Sequence, residues 1–423
     1  MHCCRKYWLM VGCLFTLCSF IRAQDTLTFA NVEAQSYSLF TQTKWDELVR
    51  FGNRALTKGF DYYYLRYRLG VAYYMKKKYR NAASNFEKAV VFNSTDEAME
   101  YLYYSYVYSA QYERARWLSK SFSPAVIAYI GSDKFNAISF ATLEGGVASS
   151  DSSKQFQNET YVQAGLGCYV NKRFSLFQAV TYFAQDAFRG NIEQFQYYLG
   201  ANIPLKNGWT FASGIQPIYA NFTPDYFKID SIPAGPPPPR GAPPPPPRRA
   251  VLVDSLGTAQ SKFNFVWAAT ITKSFSHFDI TLGAAIGAFD TATQYEQYLG
   301  ITYYPLGNNS LLVGGTIYTH TENHYKNLNY GIVPFLSVSP IKSLTLTVSY
   351  LANSGGNLIE SNGYIVSGTP DFMAARFSCL ADITLSKCIS IYAAYQHEDN
   401  QEEHRHWPFY YNLFVTGIKY IPK

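Results

Sequence analysis

Charge is scarce in this 423-residue chain: Lys, Arg, Asp and Glu together make up 16% of it, against about 25% in ordinary soluble proteins. A surface so poor in charge does not suit water on every side. Long apolar runs are also missing beyond the N-terminus, where no stretch approaches the roughly 18 unbroken apolar residues a spanning helix needs. Cysteine is sparse, with 7 in all. Four of them, Cys3, Cys4, Cys13 and Cys18, crowd into the start of the chain. The others, Cys168, Cys379 and Cys388, are odd in number and have no metal-like spacing, so they read as free thiols packed as small apolar residues. What is abundant is aromatic: 37 Tyr and 30 Phe bring the aromatic share to 17%. Aromatic-rich, poor in charge and without a spanning helix is the profile of a membrane β-barrel.

The chain opens MHCCRKYWLMVGCLFTLCSFIRAQD. Arg5 and Lys6 precede an apolar run from Trp8 to Ile21, and Ala23 stands before Gln24, the pattern of a secretory signal peptide over residues 1–23. An N-terminal membrane anchor is the alternative, for which the run is short. A lipoprotein reading fits less well, because Met10-Val11-Gly12 is a loose lipobox before Cys13 and Leu17 is bulky before Cys18. Loss of residues 1–23 removes Arg5, Lys6 and Arg22 and no acid, taking the formal charge from +6 to +3. A value that small points neither to nucleic acid nor to an acidic polymer as a partner.

Residues 65–94 read LRYRLGVAYYMKKKYRNAASNFEKAVVFNS. Leu69, Gly70, Tyr73, Tyr79, Ala82, Phe86 and Ala89 alternate small and large at the offsets that interlock two antiparallel helices. Weaker copies flank them: Trp45, Leu48 and Ala55 upstream, Leu102, Tyr106, Tyr112 and Ala115 downstream. The segment resembles the tetratricopeptide repeat (TPR) family in these seven signature positions, with Ser94 where the family closes on proline. The resemblance implies about three α-hairpins over residues 31–122 and a groove for a peptide or partner protein, or alternatively a helical spacer.

From Phe135 onward the helical period gives way to alternation. In SLTLTVSYLANSGGN, Leu344, Leu346, Val348 and Tyr350 share one face and Thr345, Thr347 and Ser349 the other. FNFVWAATI from Phe263, FDITLGAAIGA from Phe278 and AARFSCLADIT from Ala374 repeat the pattern. The period alone fits a soluble sandwich or a barrel. The mid-strand charges Arg376 and Asp382 choose the barrel, because they suit a wet lumen and not a sandwich core, and Asp279 joins them as a lumen-facing candidate. Arg376 and Asp382 lie about 20 Å apart along one strand. Each therefore either finds a partner across the lumen, for which Asp279 and Glu144 are candidates, or remains in water. About fourteen such segments follow one another over residues 130–423. Tight connections near 171–172, 205–208, 274–277, 306–309, 341–343 and 386–388 alternate with longer ones near 150–155, 225–258, 354–368 and 396–406. Short turns belong on the periplasmic side, so the repeats belong there too. Trp209, Phe278, Tyr303 and Tyr304 beside the tight turns read as an interfacial girdle.

The longest connection, 225–258, carries PAGPPPPRGAPPPPPRR, a polyproline-prone external segment that reads as a partner ligand, a flap, or an unconstrained insertion. QHEDNQEEHRHW gathers His397, Glu398, His404 and His406, but without a ligand spacing it reads as a solvated loop and no metal site is assigned. No nucleophile elbow, phosphate loop or hydrolase carboxylate pair is present, so the chain reads as no enzyme and needs no cofactor.

The expected fold is thus α + β in two domains: a short α-hairpin array followed by an antiparallel transmembrane barrel of about 14 strands. Signal peptide, helical repeats, then barrel resembles Gram-negative outer-membrane proteins that export polysaccharides, and the smaller YaiO-type repeat-plus-barrel proteins. The resemblance implies a conduit for a polymer or secreted substrate, with a periplasmic protein or peptide at the repeats, lipid around the barrel and an exported polysaccharide as one cargo. The alternative is a non-conducting anchor or scaffold for a periplasmic complex.

Overall fold

The computed structural model describes residues 27–131, 137–150, 156–171, 174–187, 190–224, 260–289, 292–322, 327–353, 358–366, 372–401 and 408–422. The leader 1–23, the proline-rich 225–258 connection, His404 and His406 lie outside them.

Seven helices come first: α1 (Phe29–Thr41), α2 (Trp45–Thr57), α3 (Tyr63–Met75), α4 (Tyr79–Phe92), α5 (Asp96–Tyr108), α6 (Tyr112–Leu118) and α7 (Pro124–Ile130). Hydroxyl caps start several of them. Thr28 accepts from the Asn31 amide and Thr95 from the Ala98 amide, each at 3.3 Å. The first six helices form three hairpins. In each hairpin turn one residue takes a left-handed φ: Thr43 at 54°, Lys77 at 57° and Ala110 at 55°. Their numbers differ by 34 and then 33, so the backbone repeats at the interval that the side-chain pattern carries. The helical region extends past residue 122, because Ser123 caps a further helix with Pro124 in its first turn, where proline's missing N–H costs nothing.

Interlocking of small and large residues holds the hairpins. Leu69, Ala82, Phe86 and Ala89 are fully buried. A Cβ on Gly70 would stand 2.7 Å from the Phe86 ring, so only glycine lets α3 and α4 come this close. Tyr73 takes a hydrogen bond from Asn53 at 2.8 Å, and Tyr79 packs its ring on Tyr74 and Tyr108.

The sheet strands are β1 (Ile138–Ser150), β2 (Phe156–Asn171), β3 (Phe174–Ala187), β4 (Gly190–Pro204), β5 (Trp209–Pro224), β6 (Gln260–Ser274), β7 (Phe278–Phe289), β8 (Ala292–Tyr303), β9 (Leu311–Glu322), β10 (Asn327–Ile341) and β11 (Leu344–Asn353). After a small hairpin of β12 (Ile359–Glu360) and β13 (Ile365–Val366) come β14 (Phe372–Thr384), β15 (Ile389–Gln401) and β16 (Pro408–Tyr420). All but β12 and β13 join one closed antiparallel barrel of fourteen strands, sealed where β1 pairs with β16. The seam has its own lock. Tyr161 and Tyr392 both donate to Glu144, at 2.7 and 2.6 Å, and Tyr392 reaches it across Gly417, where any side chain would collide with its ring.

Alternation places the apolar residues outward. Phe263, Phe265, Trp267 and Ile271 are exposed on the outer face of β6 while Val266 and Ala268 are fully buried inside. On β11, Val348 and Tyr350 face out, and Thr345 and Thr347 bond inward to Ser339 and Ser337 of β10 at 2.9 and 2.8 Å. Both chain ends and the connections expected to be tight gather at one end, here called the near end. The far connections are less uniform than expected, since only residues 188–189 separate β3 from β4 and 290–291 separate β7 from β8.

Phe86→Ala removes a fully buried ring between two hairpins and should destabilise the helical region by about 3–5 kcal/mol. Thermal unfolding followed at the helical circular-dichroism band should show an earlier helical transition, with the heat-resistant gel mobility of the barrel unchanged.

Candidate functional site

Two structures close the barrel interior, and both depend on charged side chains. At the near end the helical domain sits over the mouth. Arg80, in the first turn of α4 and 2% exposed, reaches from the helices to Asp279 of β7, and it also donates to the Phe275 carbonyl at 2.9 Å. Its guanidinium lies 3.7 Å from the centre of the Tyr304 ring, and Tyr304 donates its own hydroxyl to Asp279 at 2.7 Å. Backbone joins in, with the Arg80 amide on the Gly307 carbonyl at 2.9 Å, and Asn308 donates to the Lys77 carbonyl at 3.0 Å. Nearby, Arg116 packs on the Tyr169 ring at the end of β2. Burial lowers the Arg116 guanidinium to about 10, which leaves it charged at neutral pH. A cavity of about 410 Å³ remains between helices and mouth, lined by Arg80, Arg114, Asp279 and Tyr304 with the hydroxyls of Ser337 and Thr345.

Deeper in, residues 358–366 fold into the lumen as a plug. Leu358 and Ile359 are at most 1% exposed. The Ile359 amide donates to Glu296 of β8 at 3.0 Å, and Tyr198 of β4 donates to the Asn362 carbonyl at 3.3 Å. The Tyr364 hydroxyl bonds to Gln163 of β2, while its ring stands 5.3 Å from Phe177 and 5.0 Å from Tyr198. Glu360 forms an ion pair with Arg376 of β14. Ser361, Asn362 and Gly363 turn the hairpin with φ of 51°, 61° and 82°, a left-handed run that Asn and Gly adopt at low cost.

Asp279, Arg376 and Asp382 were expected to share the lumen, with Arg376 paired across it to Asp279 or Glu144, or left in water. The structure differs. Arg376 is partnered by Glu360 of the plug, Asp279 is taken by Arg80 at the mouth, and Glu144 holds two tyrosines at the seam. Asp382 lies opposite Thr345 and Tyr392 in the register of its neighbours. The expectation failed because the 354–368 connection was read as wholly external. Its signal was present: Asn362-Gly363 between Leu358-Ile359 and Ile365-Val366 is a hairpin turn flanked by apolar pairs. Arg80 had no such signal, since its partner lies 199 residues away. Tyr304, placed in the girdle from sequence, turns inward to Arg80, while Trp209, Phe278 and Tyr303 are exposed outward as expected. His397 stacks on Tyr410 and bonds to Asn412 at 2.9 Å, and among the described residues no three His, Cys, Asp or Glu side chains could hold a metal.

Several solved structures align with the chain at low identity. The Ralstonia pickettii toluene transporter TbuX matches at 8% identity over 72% of this chain and 94% of its own, with a TM-score of 0.44. The Pseudomonas putida toluene transporter TodX matches at 7% over 70% and 91%, TM-score 0.42. A bacterial polysaccharide outer membrane secretin matches at 9% over 69% and 100%, TM-score 0.38. No protein-family model and no curated protein matches the chain.

Arg80→Ala leaves the Asp279 carboxylate with Tyr304 and without its cation, and should weaken docking of the helices on the mouth by roughly 3–5 kcal/mol. Hydrogen exchange should rise in residues 304–309 and in the first turn of α4, while β1–β5 stay protected. Arg80→Lys, which keeps the charge and loses the fork, should fall between the two.

Proposed function

We propose that the chain is an outer-membrane barrel serving as an openable conduit for a polymer or secreted substrate, held closed in this conformation. The observation that carries it is the plug. A permanently sealed barrel core is most simply filled by apolar side chains of its own strands, whereas here a separate hairpin fills the lumen, packing Leu358 and Ile359 on apolar wall residues such as Val266 and Leu351 and bonding its polar groups to the wall, the Glu360–Arg376 pair and the Glu296–Ile359 bond foremost. The outer face supports membrane placement: Val, Leu, Ile and aromatic side chains are exposed on it in number, and strands of 10 to 16 residues meet or exceed the roughly 9–11 that a tilted spanning strand needs. In this reading the helices face the periplasm. Their 34- and 33-residue repeat and the Gly70–Phe86 contact support a TPR module that docks a protein or peptide. A polysaccharide is one cargo that suits a hydroxylated lumen.

A second reading is favoured by the Arg80 latch: a barrel that anchors the helical module and never opens. Planar bilayers separate the two. Wild type should be quiet, and a full-length chain with 358–366 replaced by a Gly-Ser run and with Arg80→Ala to release the helices from the mouth should conduct; silence from both would establish the anchor. The sides are tested independently. An epitope tag inserted between β5 and β6 should be stained on intact cells, and one placed before α1 only after the outer membrane is permeabilised.

A further inference from the structure

The wall around the plug carries an excess of carboxylates. Glu144, Glu159, Glu296 and Glu398 belong to the inner faces of β1, β2, β8 and β15, and Glu360 joins them from the plug. Arg376 stands among them, ion-paired to Glu360 and directly opposite Glu398 in the β14–β15 register. Glu159 lies within electrostatic reach of Glu398, and Glu296 of Glu360, so the acids form one connected field. Glu296 has little to compensate it. It is 2% exposed, one carboxylate oxygen accepts only the Ile359 amide, and the other has no hydrogen-bond partner among the described residues. The Tyr298 hydroxyl, on the same strand face, is buried without a partner too. A buried carboxylate held by one neutral donor is short of positive charge. Displacing the plug removes Glu360 and the Ile359 amide together, leaving Glu159, Glu296 and Glu398 with the Arg376 guanidinium and with the His320 imidazole, which lies opposite Glu296 in the β8–β9 register.

We infer that this ring makes the opened lumen a cation pathway, passing small inorganic cations and ammonium-bearing solutes and holding back anions, with Glu296 and Glu398 setting the preference. The inference rests on the conduit reading. The ring acts through its summed field, as rings of carboxylates do in cation channels, and not as a chelate.

The test uses the full-length chain with the plug replaced and with Arg80→Ala in every variant to release the cap, in planar bilayers under a KCl gradient. The reversal potential should report K⁺ preferred over Cl⁻ by roughly tenfold. Glu296→Gln with Glu398→Gln should bring the ratio close to one, and Arg376→Gln should raise it. If the replaced chain does not assemble, Glu360→Gln with Tyr364→Phe loosens the plug without removing it and gives the same readout. An open lumen with no preference, with an anion preference, or with a preference untouched by the two Glu→Gln changes overturns the inference alone. Silence from every assembled variant overturns the conduit reading, and the inference with it.

Discussion

Closure of the sheet is the constraint on which everything else depends. An open strand edge leaves a row of N–H and C=O groups unpaired and ready to pair with another chain, and a sheet that meets itself has no such edge. Here the meeting is between β1 and β16, in continuous register from Ala141 opposite Tyr420 to Ser150 opposite Tyr411. The side-chain lock at the seam follows from that register. Glu144 stands opposite Gly417, and Gly417 opposite Tyr392, so an absent side chain on the middle strand lets the tyrosine of one neighbour reach the carboxylate of the other. Closing the sheet also divides the residues of every strand into two environments, and the interior then has to be filled or wetted.

The chain fills it from both ends of the sequence. The plug arises in the connection between β11 and β14, and the cap over the mouth comes from helices that precede the barrel. Each brings a charged residue to an opposite charge on the wall: Glu360 to Arg376, and Arg80 to Asp279. With plug and cap in place both wall charges are largely buried. A buried guanidinium or carboxylate without a partner costs several kcal/mol, so these two strand positions require the inserted partners. The inward charges of β7 and β14 therefore mark where something else docks as well as which face is inward.

Local pattern made the barrel legible. Fourteen strands, their alternation and the end at which the tight connections lie are all set by neighbours a few residues apart, as in Phe263 to Ile271 or Leu344 to Tyr350. The helical hairpins were legible for the same reason, because Leu69, Gly70, Ala82 and Phe86 interlock within one repeat. The site was not, because its contacts are long-range. Arg80 meets a residue on the seventh strand, and Tyr364 reaches back to Gln163 on the second. The helix at Pro124 was missed for another reason: it is seven residues long, too short to display a period.

The two closures also share strands. Asp279 of β7 and Tyr304 just beyond β8 receive Arg80, and Glu296 of the same β8 receives the plug, eight residues or about 26 Å along the strand from Tyr304. Residue 79, immediately before Arg80, belongs to the ring cluster that joins α3, α4 and α5 through Tyr74 and Tyr108. A partner that rearranged those rings would act on the residue that holds the helices to the mouth. A strand within a closed barrel is too stiff to carry that change by bending, so communication between cap and plug needs an element with two discrete positions. The hairpin of residues 358–366 meets one requirement of such an element: it is a two-stranded unit of its own, turned by Asn362 and Gly363, and moving it would break no barrel ladder.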